Sequence, residues 1–285
     1  MSKIKVENVS FVYGEGTPFE IKALDDVSID IEENCITGII GHTGSGKSTL
    51  VQMFNGLLKP SSGRILLDGK DIWADPKKIS DIRYRVGLVM QYPEYQLFEE
   101  TVEADIAYGP KNMGLDADEI KKRVLEAADL VGLDRDTLGK SPFDLSGGQK
   151  RRAAIAGIMA MKPEVLVLDE PSAGLDPLGK SSIFDGIKRY AEATGSAVII
   201  VSHSMDDMAK YCENVVVMAH SKVDMTGKRN EVFSFGDELE AIGLGVPQIT
   251  LLVRLLNEKG ISIPKDIYTV DDAESALAEL FGGAR

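Results

Sequence analysis

Three residue types are scarce in this 285-residue chain, which holds two cysteines, three histidines and one tryptophan. Cys35 and Cys212 stand far apart, in segments that read as the start of a buried strand and the end of a helix. The expectation is two free thiols rather than a disulfide. His42, His203 and His220 show no spacing that would gather them on one metal ion. Positive charge is also short, since 32 Lys and Arg against 45 Asp and Glu leave a net charge of −13 at pH 7. Such a surface has no surplus of cations to replace the counterions of DNA or RNA, which argues against non-specific nucleic-acid binding. No apolar run reaches the roughly 20 residues of a membrane-spanning helix. Met1-Ser2-Lys3-Ile4-Lys5-Val6 reads as the start of a strand, so a protein kept in the cytosol is expected. Internal repeats and low-complexity tracts are lacking as well.

What the chain does have is 44% hydrophobic residues, enough for one large domain with a small appendage. Ile4 to Tyr13 and Val27 to Ile31 alternate with the period of half-exposed antiparallel strands. Cys35 to Ile40, Val165 to Leu168 and Ala197 to Val201 are instead almost continuously apolar, as strands buried on both faces of a parallel sheet are. Helical stretches such as Lys47 to Leu58 and Pro177 to Ala193 separate them, which predicts an α/β core. Between about 92 and 162 the pattern turns helical, with Ile120, Val124, Ala127, Ala128 and Val131 spaced along one face of a predicted helix from Ala117 to Val131. After Gly227 short amphipathic stretches broken by Gly243, Gly245, Pro247 and Pro264 predict a small helical C-terminal domain.

Three blocks carry chemistry. In Gly41-His42-Thr43-Gly44-Ser45-Gly46-Lys47-Ser48-Thr49 the glycines let backbone N–H groups converge on phosphate oxygens, Lys47 adds a point charge and Ser48 can reach Mg²⁺. His42 occupies a variable position of that loop and is a spectator. Asp169 and Glu170 end a buried strand, where an open α/β sheet presents ligand residues. Asp169 suits Mg²⁺ held through water, and Glu170 suits polarisation of an attacking water. Between these blocks, Leu145-Ser146-Gly147-Gly148-Gln149 opens a helix whose N-terminal N–H groups form an anion site. If the helical insertion projects sideways, that turn does not reach the phosphate loop of its own chain, and a second subunit must supply it. Ser172-Ala173-Gly174-Leu175-Asp176 would then lie at the seam, with Asp176 linking the two sites. Gln91 leaves a strand for the helical insertion, and its neutral amide can coordinate a cation or water. His203 follows a buried strand and can bond a terminal phosphate oxygen while orienting Glu170. Tyr13 is a candidate to stack on a nucleobase, with simple packing as the alternative.

In order and spacing, these blocks resemble the ATP-binding cassette (ABC) ATPases across about residues 3 to 227. The stretch Gln91 to Val102, Ala107-Tyr108-Gly109-Pro110-Lys111-Asn112 after it, and Gly245-Val246-Pro247-Gln248 before a leucine-rich helix are similar to the ATPases of energy-coupling factor (ECF) importers. The resemblance implies an α/β P-loop ABC core, mostly parallel sheet with an antiparallel β-subdomain and a helical insertion, over residues 1–227. It implies a helical dimerisation domain over 228–285. It further implies an ATPase using ATP and Mg²⁺ on the cytoplasmic face of the membrane. The expected partners are a like or paralogous second ATPase subunit, a membrane coupling protein and a substrate-binding membrane subunit, with no nucleic acid and with a vitamin, cobalt or nickel as cargo. A soluble ABC protein acting on nucleic acid or ribosomes is the alternative, although it would need coiled-coil inserts, a second cassette or basic arms. A nucleotide-gated module with negligible turnover is a third, disfavoured by Glu170 and His203. Glu94, Glu99, Glu100, Glu103 and Asp105 among Tyr92, Tyr95, Leu97 and Phe98 suggest an apolar groove ringed by carboxylates, suited to an arginine-bearing helix of the coupling protein.

Overall fold

Two sheets share one apolar layer in the computed structural model, which describes residues 2–282. The strands are β1 (Ser2–Tyr13), β2 (Ile21–Glu32), β3 (Ile36–Gly41), β4 (Ser62–Leu67), β5 (Lys70–Asp71), β6 (Val86–Val89), β7 (Val165–Asp169), β8 (Ala197–Val201), β9 (Asn214–Ala219) and β10 (Lys222–Lys228). Antiparallel strands ordered β2-β1-β4-β5 make the smaller sheet. The larger runs β10-β9-β3-β8-β7-β6 and is parallel except at β10.

The continuous apolar runs have the physical cause expected of them, because each central strand feeds two cores. Ile36 and Ile40 of β3, Leu166 and Leu168 of β7, and Val198 and Ile200 of β8 point toward helices. Ile39, Val165, Val167, Ile199 and Val201 point toward the antiparallel sheet.

The helices are α1 (Lys47–Phe54), α2 (Ile79–Arg85), α3 (Val102–Asn112), α4 (Ala117–Leu130), α5 (Arg135–Leu138), α6 (Gly147–Met159), α7 (Pro177–Thr194), α8 (Met205–Tyr211), α9 (Arg229–Ser234), α10 (Gly236–Ala241), α11 (Gln248–Glu258) and α12 (Val270–Gly282). The first stops four residues short of Leu58, because Asn55 ends it and Gly56 turns the chain at φ +69°. Asp116 caps α4 by accepting the N–H of Glu119 at 2.9 Å, and Val131 closes that helix instead of continuing it. Cys35 and Cys212 are both buried and free.

Past β10 the described chain is helical. Val232, Phe233, Leu239, Leu244, Val246 and Tyr268 join the core on the helical side of the large sheet. A small separate cluster forms from Val253, Ile263, Ile267 and Ala273, with Leu256, Ala276 and Leu277 against it. Leu251, Leu252, Leu255 and Leu280 remain exposed.

Candidate active site

The loop from β3 to α1 is shaped by the need to turn buried backbone around a small space. Gly46 has φ +99°, and a Cβ there would lie 2.4 Å from the carbonyl oxygen of Ala23, so only glycine fits. Being the N-cap of α1 with no side-chain cap, Gly46 leaves the helix's first N–H groups turned toward the loop. Lys47 is 6% exposed and donates to the carbonyl oxygens of Gly41 at 2.7 Å and His42 at 2.9 Å. Burial lowers its pKa, opposed by Glu170 and Asp169. Ser45 is buried, while Thr43, Gly44 and Ser48 are exposed at the loop's open side.

One 380 Å³ pocket is lined by Tyr13, Thr43, Gly44, Gly46, Lys47, Ser48, Thr49, Gln91, Asp169, Glu170 and His203. Tyr13 shares a 3.1 Å hydrogen bond between its hydroxyl and Thr49 Oγ1, and its ring meets Phe11 edge-on at 4.8 Å. Its ring is therefore anchored beside the phosphate loop, 42% exposed. Asp169, at the end of β7, is hydrogen-bonded by Ser48; burial raises its pKa against that bond. Glu170 follows in left-handed backbone, φ +52°, held by its N–H donating to Val201 at 2.9 Å. Burial first, and then the charge of Asp169, push its carboxyl up to about 7. His203 Nε2 lies 3.2 Å from Glu170 Oε1, but no aligned hydrogen bond joins them, so that buried oxygen has no donor among the described residues. Burial and Lys47 lower the pKa of His203, which favours neutral imidazole. A base poised near neutrality beside an uncharged donor can accept a proton from a bound water.

Ser146, Gly147, Gly148 and Gln149 do not line this pocket. Ser146 caps α6 by accepting the Gln149 N–H at 3.3 Å, and Gln149 Oε1 accepts the Ser146 N–H at 3.1 Å. The Gln149 side chain is thus bound into its own helix start as a capping box, which the sequence reading had not foreseen. A Cβ on Gly147 would meet open space, and one on Gly148 would touch Leu175 at 3.4 Å, so the turn Leu145–Gln149, the signature turn, lies against the Ser172–Asp176 turn with Ser146 and Gly147 exposed. Asp176 caps α7 through the Gly179 N–H at 2.6 Å.

Of the groove expected after Gln91, Leu97, Phe98 and Asp105 line a 320 Å³ depression together with Tyr108 and Met161, whereas Tyr92, Tyr95, Glu94, Glu99, Glu100 and Glu103 do not line it. Its ring of free carboxylates needs correction. Glu94 is held in a fork by Arg151, at 3.0 and 2.8 Å, and Asp105 accepts the N–H groups of Phe98 and Glu99 at 3.4 and 3.0 Å. Glu100 and Glu103 are exposed, and Glu99 is half-buried. Sequence reasoning also missed Ile21, Lys22 and Ala23, which line the phosphate-loop pocket from β2 and carry no motif.

Residues 24–173 match the sequence profile of the ABC transporter family. The chain is 52% identical over 282 residues to the energy-coupling factor transporter ATP-binding protein EcfA2 of Caldanaerobacter subterraneus subsp. tengcongensis, covering 99% of each. Among solved structures it is similar to cbiO1 of Clostridium perfringens, described as part of the ABC transporter complex cbiONQ, with a TM-score of 0.75 and 42% identity over 89% of this chain and 99% of that one. It is also similar to the cassette MJ0796 in a dimeric post-hydrolysis state bound to ADP and Pi, with a TM-score of 0.72 and 28% identity over 79% and 98%. A phosphate cradle, an acidic strand end and a signature turn outside their pocket, within a chain half identical end to end to such a relative, place this protein in the ABC transporter ATP-binding family, in its energy-coupling factor branch.

Proposed function

We propose that this chain is the ATP-hydrolysing subunit of an ECF importer, acting as a dimer in which each nucleotide is held between the phosphate loop of one subunit and the signature turn of the other. The observation that carries this reading is that the phosphate loop shares one pocket with Gln91, Asp169, Glu170 and His203, while Ser146, Gly147 and Gly148 do not line it and Ser146 and Gly147 are exposed. The dimeric form of the similar cassette supports it.

Within each site Lys47 and the N–H groups of Gly44 to Ser48 hold the phosphates, and Tyr13 packs on the base. Glu170 accepts the proton of the attacking water, His203 donates to the terminal phosphate, and Gln91 senses that phosphate. Ser146 and the N–H groups of Gly147 and Gly148 complete the partner's site, with Asp176 beside it. Mg²⁺ fits the residues present. Ser48 and Asp169 are already hydrogen-bonded and share the pocket with the Gln91 amide, an all-oxygen donor set suited to a hard cation that keeps positions for phosphate oxygens. When bound, Mg²⁺ neutralises the charge that builds on the phosphates.

No described helix is long and apolar enough to cross a membrane. In this reading attachment is peripheral, on the cytoplasmic face, through the groove lined by Leu97, Phe98, Asp105 and Tyr108, with Glu99, Glu100 and Glu103 close by in sequence. An arginine-bearing helix of a membrane coupling protein suits that chemistry. The family's cargoes, vitamins or cobalt and nickel ions, belong to the membrane subunits. The exposed leucines of α11, in the segment 228–285, support contact between the two ATPases.

Mixed dimers test the shared site. A Lys47→Ala chain and a Ser146→Arg chain, each inactive alone, should regain ATPase activity together, because each mixed dimer keeps one intact composite site. Mixed dimers that form yet hydrolyse no ATP would mean either that the sites are not shared or that both must be intact.

A further inference from the structure

Arg151 is a cation buried to 2% exposure whose bonds connect three separate segments of the site. Its Nε and Nη2 donate to the two carboxylate oxygens of Glu94 at 3.0 and 2.8 Å. Its Nη1 donates to the carbonyl oxygen of Ala173. Its guanidinium also lies over the ring of Tyr92, 5.7 Å from the centroid. Tyr92 takes left-handed backbone at φ +57°, a conformation that a non-glycine residue keeps only when its surroundings hold it there.

The partners lie in two different segments, and Arg151 stands in a third. Tyr92 and Glu94 directly follow Gln91; Ala173 lies between Glu170 and Asp176; Arg151 itself stands two residues past Gln149 on α6. A planar fork with several fixed donors can hold three such groups at set angles, which a lysine's single ammonium cannot.

We propose that Arg151 is a positioning residue for ATP hydrolysis, fastening the segment after Gln91 and the turn after Glu170 to the signature helix so that the three shift as one body. It touches no nucleotide itself. The inference rests on the roles given above to Gln91, Glu170 and Ser146, and Glu170→Gln in the same assay with the mixed dimers separates the two: loss of turnover in the first and regained activity in the second keep the catalytic and shared-site roles standing whatever Arg151 does.

The test is a double-mutant cycle on the dimer with Arg151→Met, Glu94→Gln and the pair, plus Arg151→Lys, reading kcat, KM and the affinity of a fluorescent ATP analogue for the isolated chain. Arg151→Met should lower kcat about tenfold or more while analogue affinity stays within about twofold, because the phosphate loop is untouched. Glu94→Gln should lower kcat less, about three- to fivefold, and the pair should match Arg151→Met rather than the product of the two losses. Arg151→Lys should fall between, keeping charge but not the fork. A wild-type kcat in Arg151→Met, multiplying losses in the pair, or analogue affinity falling in step with kcat would each overturn the proposal. If Arg151→Met fails to fold, the same cycle run with Arg151→Lys and Glu94→Gln decides, with multiplying losses again counting against it.

Discussion

Replacing Glu170 by glutamine keeps the side chain's shape and removes its ability to take a proton. Removing a general base typically costs about 10²- to 10⁴-fold in rate, so kcat of Glu170→Gln should fall by that much while ATP still binds and the ATP-bound dimer accumulates. With the wild-type carboxyl pushed up to about 7, its ionised fraction goes from about one tenth at pH 6 to about nine tenths at pH 8. Wild-type kcat should follow, rising about ninefold over that interval on a single deprotonation. Stability moves the other way. A carboxyl whose folded pKa is raised adds stability that is fully present below its ordinary 4.5 and is lost as pH climbs through about 7. Full loss amounts to about 3 kcal/mol, an upper bound for a side chain 13% exposed. Glutamine does not titrate, so in urea unfolding of the isolated chain the advantage of Glu170→Gln over wild type should widen by about 2 kcal/mol between pH 5.5 and 8.5. Turnover within about twofold of wild type, or two stability curves that run parallel over that interval, would refute the reasoning.

At the start of β6 and β7, Glu164 is held by Arg85 and Lys3, which lower its pKa to about 2. Its stabilisation is present above 4.5 and lost as pH falls toward 2, so Glu164→Gln should cost about 1 kcal/mol at pH 7, after solvent screening of a side chain 42% exposed, and nothing near pH 2, read by urea unfolding at both. Leu251→Asp with Leu255→Asp should abolish any nucleotide-free dimer in sedimentation while leaving ATP binding within about twofold, since both side chains are exposed on α11. A dimer that survives would show that the tail serves only its own chain. Because Glu94 is engaged by Arg151, the charge reversal that tests membrane docking belongs at Glu99 and Glu100, where it should weaken copurification with the membrane subunits well over tenfold and spare basal hydrolysis of the isolated dimer. Undiminished copurification would move the docking surface elsewhere.

What could be read from the sequence is what local backbone demands. The phosphate loop needs Gly46 because φ is +99° there, and strands that feed two cores must be apolar at every position, so both announced themselves. Gln91, Asp169, Glu170 and His203 were legible for the same reason, since each follows such a strand, and all four line one pocket. Long-range contacts were not legible. Glu94 and Arg151 lie 57 residues apart, and no spacing rule pairs them, so Glu94 read as a free surface carboxylate. The capping box of Gln149 was not legible either, because a glutamine at that position suits a ligand contact as well as the Ser146 N–H that it accepts. The tail's leucines read as one face, but Leu256 turned inward and Leu251, Leu252 and Leu255 did not, because Ile263, Ile267 and Ala273 fill only one side of α11.

The strand order gives the site unequal stiffness. Lys47, Asp169 and His203 hang from β3, β7 and β8, each of which has a hydrogen-bonded neighbour on both sides. Gln91 leaves β6, the outermost strand, bonded to β7 alone. Three anchors are therefore clamped and the fourth is a cantilever: Gln91 can be displaced by loosening one ladder, whereas displacing any of the others means loosening two. Among the four anchors, compliance is thus concentrated in the strand whose exit leads to the groove.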